Sequence, residues 1–236
     1  MAPRLPARRS PAVGFAHRGA RAHAPENTLD AFVLARRLGA TGLETDIWLT
    51  ADGVAVLDHD GVVGRVRKRP IGSCRYAELP ENVPTLIELY ETCGTDYELS
   101  VDVKDSDAAE AIIGVARQFE ATSKLWLCHS DWQRVATWRG LDSSVRLVDS
   151  TRLKAIKEGP ERRAAALAAA GIDAVNLHVS DWSGGLTTLF HRFELFALGW
   201  DAQHERQLDE IVDMGIDGVF SDYTDRMMAA LAKHYP

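Results

Sequence analysis

Four places in the sequence carry side chains whose types and spacing suit chemistry on a charged substrate. They are His17-Arg18, Glu44-x-Asp46, His59 and Asp102-x-Lys104. Residues at i and i+2 of a strand share a face, so on strands Glu44 and Asp46 point one way, as do Asp102 and Lys104. Three uncompensated carboxylates in one interior are costly. A hard divalent cation with oxygen ligands, Mg²⁺ or Ca²⁺, relieves that cost. A buried ion network with Arg18 and Lys104 also relieves it. Two histidines beside such a centre suit general acid and general base roles, because imidazole titrates near neutrality.

These residues meet only if the chain places them at one end of one scaffold. Strand-like runs occur at 13–17, 43–49, 98–104, 124–129, 144–149, 174–179, 195–200 and 218–222, with helix-like stretches between them. The first helix has Asn27 or Thr28 as N-cap and Gly39 as its stop. Strict β-α alternation favours a parallel sheet with covering helices. Eight such units favour a closed (β/α)₈ TIM barrel, with a short insertion after the second strand, over an open sheet. The segment after the first strand, HRGARAHAPEN, is neither a dinucleotide fingerprint nor a Walker loop. In a barrel the reactive groups sit at the C-terminal strand ends. His17 closes the first strand, Glu44 and Asp46 ride on the second, and Asp102 and Lys104 on the third. The Asp52-Gly53 hairpin brings His59 back toward the same end.

The chain has 236 residues, 46% hydrophobic and 26% charged, with a net charge of −7. That apolar content supports a packed core and excludes disorder over most of the length. No apolar run reaches the ~18–20 residues of a membrane span, and the acidic balance argues against nucleic acid as a partner. Cys74, Cys93 and Cys128 are too widely spaced for a structural zinc motif and suggest free thiols in a reducing, cytoplasmic compartment. Residues 1–11 contain Pro3, Pro6 and Pro11 and read as a flexible tail, with residues 12–236 as one domain. The basic run from Arg65 to Arg69 reads as a solvated loop or as a steering patch for an anionic ligand. His129 and His178 close later strands, and Asn27 suits either capping or orienting the site.

HRG (17–19), PENT (25–28), E-x-D (44–46), T-x-D-G (50–53) and HD (59–60) together resemble the signature of the glycerophosphodiester phosphodiesterases. VPTLIELYE (83–91), D-x-K (102–104), GW (199–200) and GIDGVFSDY (215–223) extend the resemblance over roughly residues 13–226. It implies a (β/α)₈ barrel and metal-dependent hydrolysis of a small-molecule glycerophosphodiester to glycerol 3-phosphate and an alcohol. It also implies His17 and His59 as the acid–base pair, Glu44, Asp46 and Asp102 as metal ligands, Arg18 and Lys104 on the phosphate, and Trp200 against the substrate. Asp102 stands where the family usually has Glu. Trp200-Asp201-Ala202-Gln203 replaces the usual W-T-x-N, and the insert after His59 is short. A lysophospholipase D or sphingomyelinase D-type enzyme on the same scaffold, and a non-catalytic binding barrel, remain as alternatives.

Overall fold

The computed structural model describes residues 4–64, 68–105 and 107–235. The strands, in chain order, are β1 (Val13–His17), β2 (Gly42–Leu49), β3 (Ala55–Leu57), β4 (Val62–Val63), β5 (Arg69–Pro70), β6 (Glu98–Val103), β7 (Leu125–His129), β8 (Arg146–Thr151), β9 (Ala174–His178), β10 (Phe196–Trp200) and β11 (Gly218–Ser221). The helices are α1 (Leu29–Arg37), α2 (Leu86–Cys93), α3 (Ala108–Gln118), α4 (Trp132–Thr137), α5 (Pro160–Ala169), α6 (Gly184–Arg192), α7 (Glu205–Asp213) and α8 (Thr224–His234).

β1, β2 and β6–β11 pair in parallel in the order β1-β11-β10-β9-β8-β7-β6-β2, and β2 pairs back onto β1. Eight strands therefore close into the expected barrel. The helices form by the usual local rules. Thr28 caps α1 by accepting a hydrogen bond from the Ala31 N–H, and Thr85 and Glu88 form a capping box at α2. In α3, Ala109, Ile112, Ile113 and Ala116 make one buried stripe against the barrel.

The barrel interior is filled rather than hollow. Phe15 stacks on Phe220 at 4.5 Å and meets Trp126 edge-on at 6.0 Å, with Val148, Ala174 and Leu198 around them. This aromatic plug is the floor on which the upper half of the barrel stands.

Two expectations change. The strand expected at 144–149 runs from Arg146 to Thr151, because its register is set by pairing with β7 and β9. Ser150 and Thr151 thereby reach the strand's upper end. Residues 4–11 have no regular secondary structure, as their prolines dictate, yet they are held rather than loose. The Leu5 N–H bonds to the Asp213 carbonyl at 2.9 Å, the Arg9 N–H to Asp217 at 2.7 Å, and the Arg9 guanidinium to Glu98 at 2.9 Å. This strap crosses the N-terminal end of the barrel. In the basic run, residues 65–67 lie outside the described residues, and Arg69 pairs with Glu78 at 3.3 Å.

Candidate active site

The C-terminal strand ends surround a cavity of about 500 Å³ lined by His17, Arg18, Glu44, His59, Asp102, Lys104 and Trp200, with Arg21, Ser100, Cys128, Ser150, Asn176, Asp201, Gln203 and Phe220. Seven of the eight side chains singled out from the sequence thus face one space. The exception is Asp46, which is almost fully buried and stands behind the cavity wall.

The register explains the split. Glu44 pairs across the ladder with His17 on one side and Ser100 on the other, whereas Asp46 pairs with Asp102 one step higher. Asp46 is held from three sides. Arg18 Nε lies 3.0 Å from its Oδ2 as an ion pair, the Asn27 amide donates to the same oxygen at 3.2 Å, and Lys104 Nζ reaches Oδ1 at 3.1 Å. Lys104 also contacts Asp102 at 2.5 Å. The ion-network arrangement is therefore realised around Asp46, and among the described residues no three His, Cys, Asp or Glu side chains are grouped around a common metal position.

Arg18 and Asn27 adopt positive φ, 52° and 54°, a region uncommon for residues other than glycine. The strain is put to use. It aims the Arg18 N–H at Glu44 Oε2, 2.9 Å away, and turns the Asn27 side chain inward, where it also accepts from Thr45 Oγ1 at 2.8 Å. Helix capping falls to Thr28, so Asn27 orients Asp46.

His17 Nδ1 lies 2.6 Å from Asp222 Oδ1, and its Nε2 lies 3.8 Å from Glu44 Oε2. Burial opposes protonation of His17, but Glu44 and Asp222 outweigh it and raise its pKa. Asp222 is held below the usual carboxylate range, because its bond to His17 and the nearby Arg21 overcome its own burial. His59 sits on the loop after the hairpin, 2.8 Å from the exposed Asp60. Trp48 positions that loop. Its Nε1 donates to the His59 carbonyl at 3.4 Å, and Gly61, at φ 68°, packs so close that a Cβ there would lie 2.4 Å from the indole.

Glu44 is a strongly perturbed carboxyl. Burial, only partly offset by His17, together with repulsion from Asp46 and Asp102, pushes its pKa up to about 7. Lys104 moves the other way from what its burial alone would give: Asp102 and Asp46 raise it. Glu44 Oε1 has no hydrogen-bond donor among the described residues, and neither has Asp102 Oδ1. Both residues line the cavity. Hard oxygen donors without protein partners, on a carboxyl that burial disfavours as an anion, fit a divalent cation of the Mg²⁺ or Ca²⁺ type.

Sequence reasoning passed over Asp222, and saw Asp201 and Gln203 only as a departure from the family's pattern in the pocket wall. Asp222 lies just past the end of β11, where the strand-end rule applied to it as much as to His17. Gln203 accepts from the Ser221 hydroxyl and the Asp222 N–H at 3.1 and 2.9 Å and so fixes Asp222. Asp201, at φ 67°, bonds His178 at 3.0 Å beside Trp200.

Residues 17–226 match the glycerophosphoryl diester phosphodiesterase family. A glycerophosphodiester phosphodiesterase of Caldanaerobacter subterraneus is 35% identical over 107 residues, 38% of this chain and 44% of that protein. A glycerophosphodiester phosphodiesterase of Bacillus altitudinis is 24% identical over 235 residues, 90% of this chain and 95% of that protein. In fold, the chain is similar to an Oleispira antarctica phosphodiesterase solved in complex with the product sn-glycerol-3-phosphate. The TM-score is 0.80 at 22% identity, covering 93% of this chain and 96% of that one. No helix among the described residues is long and apolar enough to cross a membrane.

Proposed function

The chain belongs to the glycerophosphoryl diester phosphodiesterase family, and from that premise we propose that it hydrolyses glycerophosphodiesters to sn-glycerol 3-phosphate and an alcohol, with His17 and His59 moving the protons beside a divalent cation. The observation that carries this reading is the convergence of both histidines, Arg18, Lys104, Glu44 and Asp102 on one cavity.

A phosphodiester anion repels nucleophiles, and charge builds on its oxygens in the transition state. Arg18 and Lys104 are the fixed cations that oppose that charge. One imidazole takes the proton of the attacking hydroxyl while the other protonates the departing alkoxide; attack by water gives glycerol 3-phosphate directly, and attack by the glycerol hydroxyl next to the phosphate gives a cyclic phosphate that water then opens with the same two groups in reversed roles. The bond from His17 Nδ1 to Asp222 leaves Nε2 facing the cavity, as a proton-transfer role requires. Glu44 and Asp102 would hold Mg²⁺ or Ca²⁺, with Asp46 behind them holding Arg18 and Lys104 in place. When bound, such an ion supplies Lewis-acid stabilisation of the phosphoryl oxygens. Asn27, Gln203 and Asp222 do not touch the reacting atoms on this reading; they orient the groups that do.

A lipid-cleaving role finds less support. Among the described residues the exposed large hydrophobic ones are Leu5 and Ile87, and neither lines the cavity. The test is release of alcohol and glycerol 3-phosphate from a panel of glycerophosphodiesters and lysolipids, with and without chelator. Turnover of the water-soluble diesters, lost with chelator and restored by Mg²⁺ or Ca²⁺, supports the reading. Full activity after exhaustive chelation overturns the metal, and turnover of lysolipids alone overturns the substrate.

A further inference from the structure

Asp201 stands just past the end of β10, and it lines the same cavity as His17, Trp200 and Gln203. In the ring β10 is two strands from β1, with β11 between them. At the ~4.8 Å spacing of neighbouring strands, the two strand ends lie about 10 Å apart around the rim. Gln203 ties them together. Its amide nitrogen donates to Asp201 Oδ1 at 3.1 Å, and its side-chain oxygen accepts from the N–H of Asp222, the residue bonded to His17. A diester whose phosphate is held beside His17 therefore has Asp201 within reach of one arm.

We propose that Asp201 reads the alcohol arm of the substrate and selects an arm that ends in a primary ammonium, of the ethanolamine type, over a neutral hydroxyl arm of the same length. The proposal rests on the phosphodiesterase reading above and deepens it.

Asp201 keeps its negative charge because both of its protein partners are neutral. His178 Nδ1 accepts the Ser180 backbone N–H at 3.1 Å, and a backbone amide only donates. The ring proton is therefore on Nε2, and a neutral imidazole donates it to Asp201 Oδ2 at 3.0 Å. The other partner is the uncharged Gln203 amide. Among the described residues no Lys or Arg pairs with Asp201, whose side chain is 49% exposed. The neighbouring cations have counter-ions of their own. Arg152, 5.5 Å from the centroid of the Trp200 ring, places Nε and Nη2 on Asp181 at 2.8 and 3.3 Å. Arg21, on the cavity wall, is held by Glu26 and Asp222.

The carboxylate is also fixed in place. Its backbone sits at φ 67°, and each oxygen takes one donor. An ionised carboxylate has about four lone-pair sites, so acceptor capacity remains on both oxygens. A primary ammonium brings three donors and the missing positive charge, and a hydroxyl brings one donor and no charge. Trp200, beside Asp201 on the same wall, gives the methylenes of the arm an apolar surface.

The experiment compares kcat/KM for glycerophosphoethanolamine and for the matching ethylene glycol diester, which carries a hydroxyl in place of the ammonium. Wild-type protein is compared with Asp201→Asn and Asp201→Gly, two residues that tolerate positive φ. Wild type should prefer the ammonium arm by about three- to tenfold, the worth of one charge-assisted contact at a half-exposed site. Each variant should lower that ratio several-fold, with circular dichroism unchanged. A wild-type ratio near one, or a ratio unmoved by both variants, overturns the role of Asp201 and leaves the phosphodiesterase reading standing. Absence of turnover of both diesters by wild type overturns that reading and this proposal with it.

Discussion

The two ends of the barrel are built from matching parts and use them in opposite ways. At the C-terminal end, His17 meets Asp222 at 2.6 Å and Glu44 lies beside Arg18. At the N-terminal end, His191 meets Asp217 at 2.8 Å and Glu98 lies beside Arg9 and Arg146. The difference is satisfaction. Glu98 takes Arg9 on one oxygen and, on the other, Arg146 at 3.0 Å and the Trp126 N–H at 2.7 Å. Asp217 takes the backbone N–H groups of Arg9 and Ala197 as well as His191. Glu44 takes one backbone N–H and keeps an oxygen free toward the cavity. Fully paired charges stabilise a fold, and incompletely paired ones remain available to a ligand.

The sharpest way to break this comparison is to remove each histidine. His17→Ala and His59→Ala should each lower kcat on the order of 10²-fold or more, the size of a general acid–base contribution, with circular dichroism unchanged. His191→Ala should leave kcat within about twofold and lower the stability by roughly 1–3 kcal/mol, because it strips a partner from a buried carboxylate. Steady-state kinetics alongside urea unfolding decides, and a His191→Ala enzyme as inactive as His17→Ala would erase the distinction.

The glutamates give the next contrast. Glu98→Gln should cost roughly 1–3 kcal/mol in urea unfolding, since Arg9 and Arg146 lose their anion, with kcat little changed. Glu44→Gln should abolish most activity while leaving stability at pH 7 equal to or above wild type, because burial already disfavours that charge.

A pH series sharpens the same pair. Glu44 has its folded pKa near 7, against an ordinary 4.5. A folded pKa above the unfolded one means that this carboxyl's contribution is fully present below about 4.5 and is lost as pH rises through about 7. In chelator, wild type should therefore lose ground to Glu44→Gln between these values, and added Mg²⁺ or Ca²⁺ should recover it. Parallel stability curves for the two proteins would contradict the burial argument.

The smallest expected effects come from one glycine at each end. A Cβ at Gly61 would strike Trp48, and one at Gly215 would strike the Leu5 and Pro6 carbonyls of the strap. Gly61→Ala should disturb the His59 loop and lower kcat several-fold with little change in Tm. Gly215→Ala should lower Tm by a few degrees, as about 1 kcal/mol does in a domain of this size, and spare kcat.

Much of this architecture was legible in the sequence, for reasons that also mark where legibility ended. The strands announced themselves by short apolar runs between helical stretches, and the strand-end rule put His17, Glu44, Asp102 and Lys104 in one place. What the pattern does not encode is the direction of a side chain among neighbours of both signs. Glu44 and Asp46 share a face, yet one lines the cavity and the other is enclosed by Arg18, Lys104 and Asn27. Asp222 was in view within GIDGVFSDY, but its partner lies 205 residues away, beyond any local pattern. The strap was misjudged because its prolines govern backbone regularity and say nothing about Arg9 finding Glu98.

The ring closes where β1 lies between β2 and β11. His17, both acids of β2, His59 and Asp102 all lie between residues 17 and 102, while the partner of His17 follows β11 at residue 222. A growing chain that has produced seven barrel strands already holds the proton carriers and the carboxylates, but β1 still has an open edge and His17 has no orienting aspartate. Closing that long loop carries the largest entropic cost in the fold. Catalytic competence thus waits on the pairing of β1 with β11, and the return of activity on refolding times the closure of the barrel.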